Sequence, residues 1–505
     1  IFASNIGSEH LIGLAGAGAS SGMAMAHWEI QGWMILILGW VFVPFYSRSM
    51  VYTMPEFLER RYNPQSRTIL SVISLVSYVL TKVAVTVYAG GLVFQQVFGI
   101  KELWGIDFFW IAAIGLVVLT ALYTIFGGMK SVLYTSVLQT PILLLGSLII
   151  LVLGFKELGG WDEMMRVCGA VTVNDYGDTM TNLIRSNDDA NFPWLGALIG
   201  SAIIGFWYWC TDQFIVQRVL SGKNEKEARR GTIFGAYLKL LPVFLFLIPG
   251  MIAFALHQKY IGAGGEGFLP MLANGTANAD AAFPTLVAKL LPAGVKGLVV
   301  CGILAALMSS LASLFNSSAM LFTIDFYKRF RPETPEKKLV GIGQIATVVI
   351  VILGILWIPI MRSVGDVLYT YLQDVQSVLA PGIAAAFLLG ICWKRTSAQG
   401  GMWGLIAGMI IGLTRLGAKV YYSNAGEVAD STFKYLFYDM NWLFFCGWMF
   451  LFCIIVVIVV SLATEAPTAE KIQGLVFGTA TKEQKASTRA SWNHWDIINT
   501  VIILA

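Results

Sequence analysis

The residues with the clearest chemical potential form a polar block, Asn5-Ile6-Gly7-Ser8-Glu9-His10, which leads into a glycine-rich apolar run, Leu11 to Gly22. A long apolar span, Trp33 to Phe45, follows. Charged and amide side chains are costly at membrane depth and glycine weakens a helix, so the block is expected in an interrupted helix lining a cavity. Other apolar stretches hold Glu29, Lys82, Asp212, Lys239 and Gln373. Each costs about 3 kcal/mol if left uncompensated at a helix centre, so these groups are expected to pair or to face water. Taken singly, Lys82 and Asp212 suit a structural ion pair equally well, and Glu29 fits a place near the interface. Taken together with Trp28, Tyr208 and Trp209, they supply what a sugar needs: donors and acceptors for hydroxyls, and an aromatic ring for the C–H face of a pyranose.

A second constellation is the run Ala305 to Ser313, where small and hydroxyl residues repeat inside an apolar span. One reading is close helix packing by small residues. The other is a site for a hard monovalent cation, in which serine hydroxyls join carbonyls freed where the opening helix breaks. Oxygen ligands of this kind suit Na⁺, and nothing in the chain suits a transition metal. Enzyme motifs are lacking. Gly18-Ala19-Ser20-Ser21-Gly22 matches the nucleophile-elbow pattern, yet it lies in an apolar helix rather than after a strand. No phosphate-binding loop, zinc-protease motif or dinucleotide fingerprint occurs, which argues against an ATP-driven pump or a nucleotide enzyme.

The elements that must position these residues are membrane spans. The chain has 505 residues, of which 57% are hydrophobic and 13% charged, with a mean hydropathy of +0.70. That makeup excludes an ordinary soluble domain and indicates an all-α polytopic membrane protein in a lipid bilayer. Apolar stretches near the ~20 residues a bilayer core requires recur at 27–46, 69–98, 108–127, 132–155, 193–217, 232–257, 297–325, 339–361, 368–392, 401–421 and 438–463. One more begins at Asp496. The first residue already lies inside a span and the last lies mid-helix, so both ends are expected to continue in a longer protein.

Basic residues cluster in alternate loops, around Arg60 and Arg61, Arg229 and Arg230, Lys328 and Arg329, Lys394 and Arg395, and Lys482 and Lys485. These are expected to be cytoplasmic, at the cell membrane, and the acidic loop 157–192 external. Nucleic-acid binding has no support in the charge pattern. Five cysteines fall within or at the edge of apolar spans and Cys168 lies alone in the loop, so no disulfide framework is implied. A second run, apolar to Gly205 and then polar and aromatic from Trp207 to Gln213, mirrors the broken opening about two hundred residues later. Two interrupted helices, each opening a set of five spans, point to an inverted-repeat transporter.

The stretches Phe2 to Gly16, Thr53 to Leu58, Trp207 to Gln213, Ile215 to Arg218, Tyr237 to Pro242, Met308 to Ser317 and Trp393 to Arg395 make the chain similar to sodium/solute symporters of the sodium/glucose cotransporter branch. The resemblance runs from the first residue to about 395. It implies the LeuT-type fold, two inverted five-helix repeats with accessory transmembrane helices. The repeats would occupy 1–156 and 193–395, parted by the external loop 157–192, with accessory helices over 396–505. It places Na⁺ on the carbonyls of Ala3, Ile6 and Ala306 and the hydroxyls of Ser309 and Ser310. Sugar falls on Asn5, His10, Glu29, Lys239 and Gln373, with Tyr208 as inner gate, Trp209 beside it and Trp28 as the outer aromatic.

The implied activity is Na⁺-coupled uptake of a hexose such as glucose or galactose. The wording Ser8 to Ile12 also resembles the myo-inositol branch, while Met308 to Leu311 resembles the glucose branch. A sugar-gated sensor or channel on the same scaffold is the rival from another class. Three positions depart from the family pattern. Gly205 and Gly32 stand where relatives place hydrogen-bonding side chains, and Ser136 stands where the family usually has an Asp tied to a second cation. One Na⁺ per solute is therefore expected.

Overall fold

The opening segment, rich in glycine and polar residues of weak helix propensity, is broken into pieces. The computed structural model describes residues 2–7, 9–49, 51, 53–272, 274–364, 368–424 and 429–505. Phe2–Asn5 is α-helical, the backbone bends at Ile6 and Gly7, a π-helix covers Glu9–Leu14 and an α-helix covers Ala15–Ser21. Gly22 then turns the chain with φ +71°; a Cβ there would stand 2.0 Å from the Met180 carbonyl oxygen, so only glycine fits this corner. Met23 N–H donates to that same oxygen at 2.8 Å, which ties the loop 157–192 to the first turn of the bundle.

The second broken segment repeats the device. Trp194–Gly205 is α-helical, Phe206–Thr211 is a π-helix, Asp212 is extended, and Gln213–Leu220 resumes the helix. Asp212 caps the resumed helix by accepting from Phe214 N–H at 3.1 Å. The paired interruption predicted from composition is therefore present at both places.

Ten helical segments among the described residues are long and apolar enough to cross a bilayer, and His494–Leu504 is a shorter apolar helix at the end of the chain. The apolar stretches at 108–127 and 132–155 are joined by helical backbone that continues over Phe108–Leu158 as one element, through Gly127 and Gly128.

Small residues set how closely the helices cross. Gly382 faces Gly408 where Leu368–Cys392 meets Ala398–Asn424, and a Cβ on Gly408 would lie 2.6 Å from the Gly382 Cα. Gly250 of Ile248–Gly262 abuts Ala15, whose carbonyl oxygen would be 2.0 Å from an added Cβ. The opening helix is thereby held deep within the bundle. Polar ties supplement this packing: buried Asp325 accepts from Arg67 at 2.7 Å, from Thr53 at 3.1 Å and from Ser71 at 3.2 Å.

Outside the spans, the 3-10 turn Ala279–Ala281 and the helix Ala282–Leu290 that continues from it pack on the opening helix. Asp280 is buried there, and its carboxylate accepts from Leu368 N–H at 3.2 Å. Burial pushes the Asp280 carboxyl up from 3.8 to about 7, opposed by that backbone donor. The folded state therefore holds this proton more tightly than the unfolded chain does, so docking is firmest in acid and weakens as pH rises from about 4 through about 7. Amide exchange over 282–290, corrected for intrinsic rates, should be faster at about pH 8 than at about pH 5.5, and Asp280→Asn should abolish the difference. Equal protection at both pH values would refute this assignment.

Candidate functional site

The two broken segments and three neighbouring helices surround one small cavity of about 30 Å³, well below the ~300–1,000 Å³ typical of open small-molecule sites. Asn5 and His10 enter from the opening break, and Tyr208 and Trp209 from the second. Lys239 comes from Glu225–Lys239, Gln373 and Gln376 from Leu368–Cys392, and Trp28 from Ala26–Glu29. Seven of the residues expected to bind or gate a solute thus line one space, although they lie far apart in sequence.

Glu29, expected among the solute-binding residues, is fully buried and stands behind the cavity wall rather than on it. Lys239 Nζ donates to its Oε2 at 2.5 Å, and His10 Nε2 lies 3.3 Å from the same oxygen. His10 Nε2 is also 3.4 Å from Asn5 Nδ2. A carboxylate this deep needs such partners, since an unpaired buried charge costs several kcal/mol. A proton on Nε2 donates to Glu29 and leaves Nδ1, which has no hydrogen-bond partner, as an acceptor. Glu29 is a hub that orients His10 and Lys239, and Lys239 Nζ also lies 5.6 Å from the Trp209 ring centroid.

A second buried pair underlies the aromatic wall. Lys82 Nζ donates to Asp212 Oδ2 at 2.6 Å, and Tyr78 OH donates to Oδ1 at 2.7 Å. Lys82 Nζ also lies 4.7 Å from the Tyr208 ring centroid and 3.7 Å from that of Phe214. Of the two readings left open by sequence, the ion pair is the one the structure has. Trp28 packs against Trp442 with ring centroids 5.4 Å apart, so an accessory helix backs this wall of the cavity.

Four buried polar atoms around the cavity lack a hydrogen-bond partner: His10 Nδ1, Gln31 Nε2, Tyr208 OH and Gln373 Oε1. Each costs about 1–3 kcal/mol if left unsatisfied, so these atoms call for a polar partner, water or ligand, on the cavity side. Glu9, Gln31 and Gln376 also line the space and were not among the expected solute-binding residues. Glu9 was visible as a charge at membrane depth. Gln31 and Gln376 carried only the weaker signal of an amide in or beside an apolar run.

The candidate cation site gathers at the opening break. Phe2–Asn5 packs against Ala293–Met320. A Cβ on Gly7 would lie 2.3 Å from Ser310 Oγ and 3.1 Å from its Cβ, so the missing side chain is what lets the break reach the serine. Ile6, Ala306, Ser309 and Ser310 are all buried around this contact. Ala3 lies on the same short helix, and its side chain is outside the described residues, as is that of Ser136. Hydroxyls beside a broken helix are the oxygen donors a hard cation takes. The small residues of the run therefore serve close packing and the candidate site together.

Comparisons with known proteins agree with this architecture. The family model of the sodium:solute symporter family matches residues 1–412. Sodium/myo-inositol cotransporter 2 of Homo sapiens is 36% identical over 492 residues, covering 95% of this chain and 72% of that protein. Sodium/glucose cotransporter 1 of Ovis aries is 38% identical over 483 residues, covering 92% and 72%. Among solved structures, a substrate-bound, outward-open Na⁺-coupled sialic acid symporter superposes with a TM-score of 0.68 at 20% identity, covering 92% of this chain and 89% of that one. The transporter Mhp1 in a closed conformation gives 0.51 at 14% identity, covering 94% and 93%. The fold is thus the LeuT type, an all-α bundle of two inverted five-helix repeats with accessory membrane helices. Na⁺ is the coupling ion, and the chain belongs to the sodium:solute symporter family.

Proposed function

We propose that this protein couples inward movement of Na⁺ to uptake of a hexose such as glucose or galactose by alternating access. The observation that carries the reading is the buried cavity whose wall leaves a histidine nitrogen, a phenol and two amide atoms unpaired, beside Trp28, Tyr208 and Trp209. Hydroxyls of a pyranose satisfy the polar atoms, and its C–H face suits the rings. Asn5, His10, Lys239 and Gln373 bind the solute, with Glu29 fixing two of them. Tyr208 gates the inner side and Trp28 the outer. Na⁺ is held by carbonyls of Ala3, Ile6 and Ala306 and hydroxyls of Ser309 and Ser310.

In this scheme Na⁺ clamps the opening break against the serine helix and favours the outward-open state. Solute then binds between the repeats, 1–156 and 193–395, the outer side closes, and inward opening loosens the Na⁺ site. By linkage each ligand raises the other's affinity by the same factor. The basic loops face the cytoplasm and the protein works at the cell membrane, with the loop 157–192 outside and 396–505 as accessory helices. A myo-inositol or other polyol carrier is the second reading, favoured by the relatives named as sodium/myo-inositol cotransporters.

The test is uptake of labelled glucose, galactose and myo-inositol into proteoliposomes under inward Na⁺ or K⁺ gradients, beside Ser310→Ala. The expected result is Na⁺-dependent accumulation of one solute, with uptake at low Na⁺ cut about tenfold or more in the variant, the equivalent of about 1.4 kcal/mol in Na⁺ binding. Solute binding without accumulation would favour a sugar-gated sensor or channel. No interaction with any of the three would exclude the proposed solute class.

A further inference from the structure

Gln31 has no assigned part in the site, yet its amide occupies the space that a side chain at position 205 would fill. A Cβ built on Gly205 would stand 2.4 Å from Gln31 Oε1 and 3.3 Å from Met34 Cγ. Gln31 is 4% exposed and lines the cavity, and its Nε2 has no hydrogen-bond partner. An unpaired, buried amide N–H₂ on the wall of a cavity is a donor waiting for an acceptor.

The backbone explains why the side chain is held there. Gln31 lies between the helices Ala26–Glu29 and Gly32–Ile37, with φ −70° and ψ 27°. Ile30 N–H donates to Ala26 oxygen at 3.0 Å and Met34 N–H to Gln31 oxygen at 3.0 Å, which pins both sides of the interruption. Two residues earlier, Glu29 is locked by Lys239 and His10. On the far side, a Cβ on Gly32 would lie 3.1 Å from Ala236 oxygen, so the resumed helix is seated closely against its neighbour. Gln31 is thus fixed between a buried ion pair and a tight helix crossing, facing the helix that ends at Gly205.

We propose that Gln31 is a specificity-determining residue, its Nε2–H₂ donating to one ring hydroxyl of the solute from the wall opposite Gly205. The inference rests on the transport reading above and deepens it. Glycine at 205 is then no loss of recognition: the polar group that reads the solute has moved across the cavity, and position 205 is kept empty so that it fits. The solute must present an acceptor hydroxyl towards the kink at Gln31, and analogues lacking that one hydroxyl are discriminated against, because the amide stays unpaired.

The experiment is uptake of glucose, myo-inositol and their monodeoxy analogues into proteoliposomes under a Na⁺ gradient, for wild type, Gln31→Met, Gly205→Asn and the double variant Gln31→Ala/Gly205→Asn. Na⁺-induced charge movement without solute reports which variants remain folded. The expected results are that wild type discriminates against at least one monodeoxy analogue by about tenfold or more, and that Gln31→Met raises the KM of the parent solute about tenfold while erasing that discrimination. Gly205→Asn alone is expected to impair uptake by crowding Gln31, and the double variant to recover much of it. Unchanged discrimination in an active Gln31→Met, or a double variant no better than Gly205→Asn, would overturn this inference alone. Wild type carrying neither parent solute, nor galactose in the same assay, would overturn the transport reading, and this inference with it.

Discussion

Asp212→Asn is expected to destabilise the folded bundle by about 3–5 kcal/mol and to abolish uptake, because it leaves the Lys82 ammonium charged and stranded in an apolar interior. The side chains of Lys82 and Asp212 are 3% and 2% exposed and stand 2.6 Å apart. Asn also weakens what Tyr78 and Phe214 N–H give the carboxylate at Oδ1. These contacts close the second break, and Tyr208, the proposed inner gate, lies over the lysine. Loss of the pair therefore reaches the site through the gate as well as through stability. Thermal unfolding in nanodiscs should show the drop, and Lys82→Met/Asp212→Leu should regain most of it, since two apolar residues leave no orphaned charge. Wild-type stability in Asp212→Asn would show that the pair does not hold this break together.

Gly7→Val is expected to cut Na⁺-dependent uptake by about a hundredfold while leaving the rest of the fold in place. The break at Ile6 and Gly7 touches Ser310 only because position 7 has no side chain: an added Cβ would sit 2.3 Å from the serine hydroxyl oxygen. Relief requires the two elements to part by roughly 1 Å, and a misplacement of that size can cost about 10²-fold where geometry is critical. Gly115→Ala is the matched control, since nothing lies within 4 Å of an added Cβ there. The diagnostic is the Na⁺ concentration for half-maximal uptake, which should rise steeply in Gly7→Val and stay put in Gly115→Ala. An unshifted Na⁺ dependence in Gly7→Val would remove Ser310 and the opening break from the Na⁺ site.

Much of the architecture was legible because a bilayer punishes polarity. Asn5, Glu9 and His10 in one apolar run, and Asp212 in another, had to lie where the helix yields, and both segments are interrupted there. Glu29, Lys82, Asp212 and Lys239 had to find partners, and the pairs Glu29–Lys239 and Asp212–Lys82 are what they found. Which carboxylate met which lysine was not legible, because pairing depends on how segments about 130 and 210 residues apart pack. For the same reason it was not legible that Glu29 would meet both Lys239 and His10. The gap between the apolar stretches 108–127 and 132–155 marks no end of a helix. Two glycines lower helix propensity by about 1 kcal/mol each, which does not oblige a long helix to stop. Gln31 carried only the weak signal of an amide beside an apolar run, because its proposed role follows from the absence of a side chain at Gly205, on a segment about 170 residues away.

Energetics make single-ion coupling sufficient. A tenfold Na⁺ gradient supplies about 1.4 kcal/mol and 100 mV about 2.3 kcal/mol, which together support roughly 500-fold accumulation of solute. The measurement that tests coupling most directly is charge and labelled solute recorded together in the same voltage-clamped cells expressing the chain. One positive charge per solute molecule, with current and solute uptake both vanishing when Na⁺ is replaced, is the expected result. Charge that flows without proportionate solute, or solute that equilibrates without Na⁺, would contradict it.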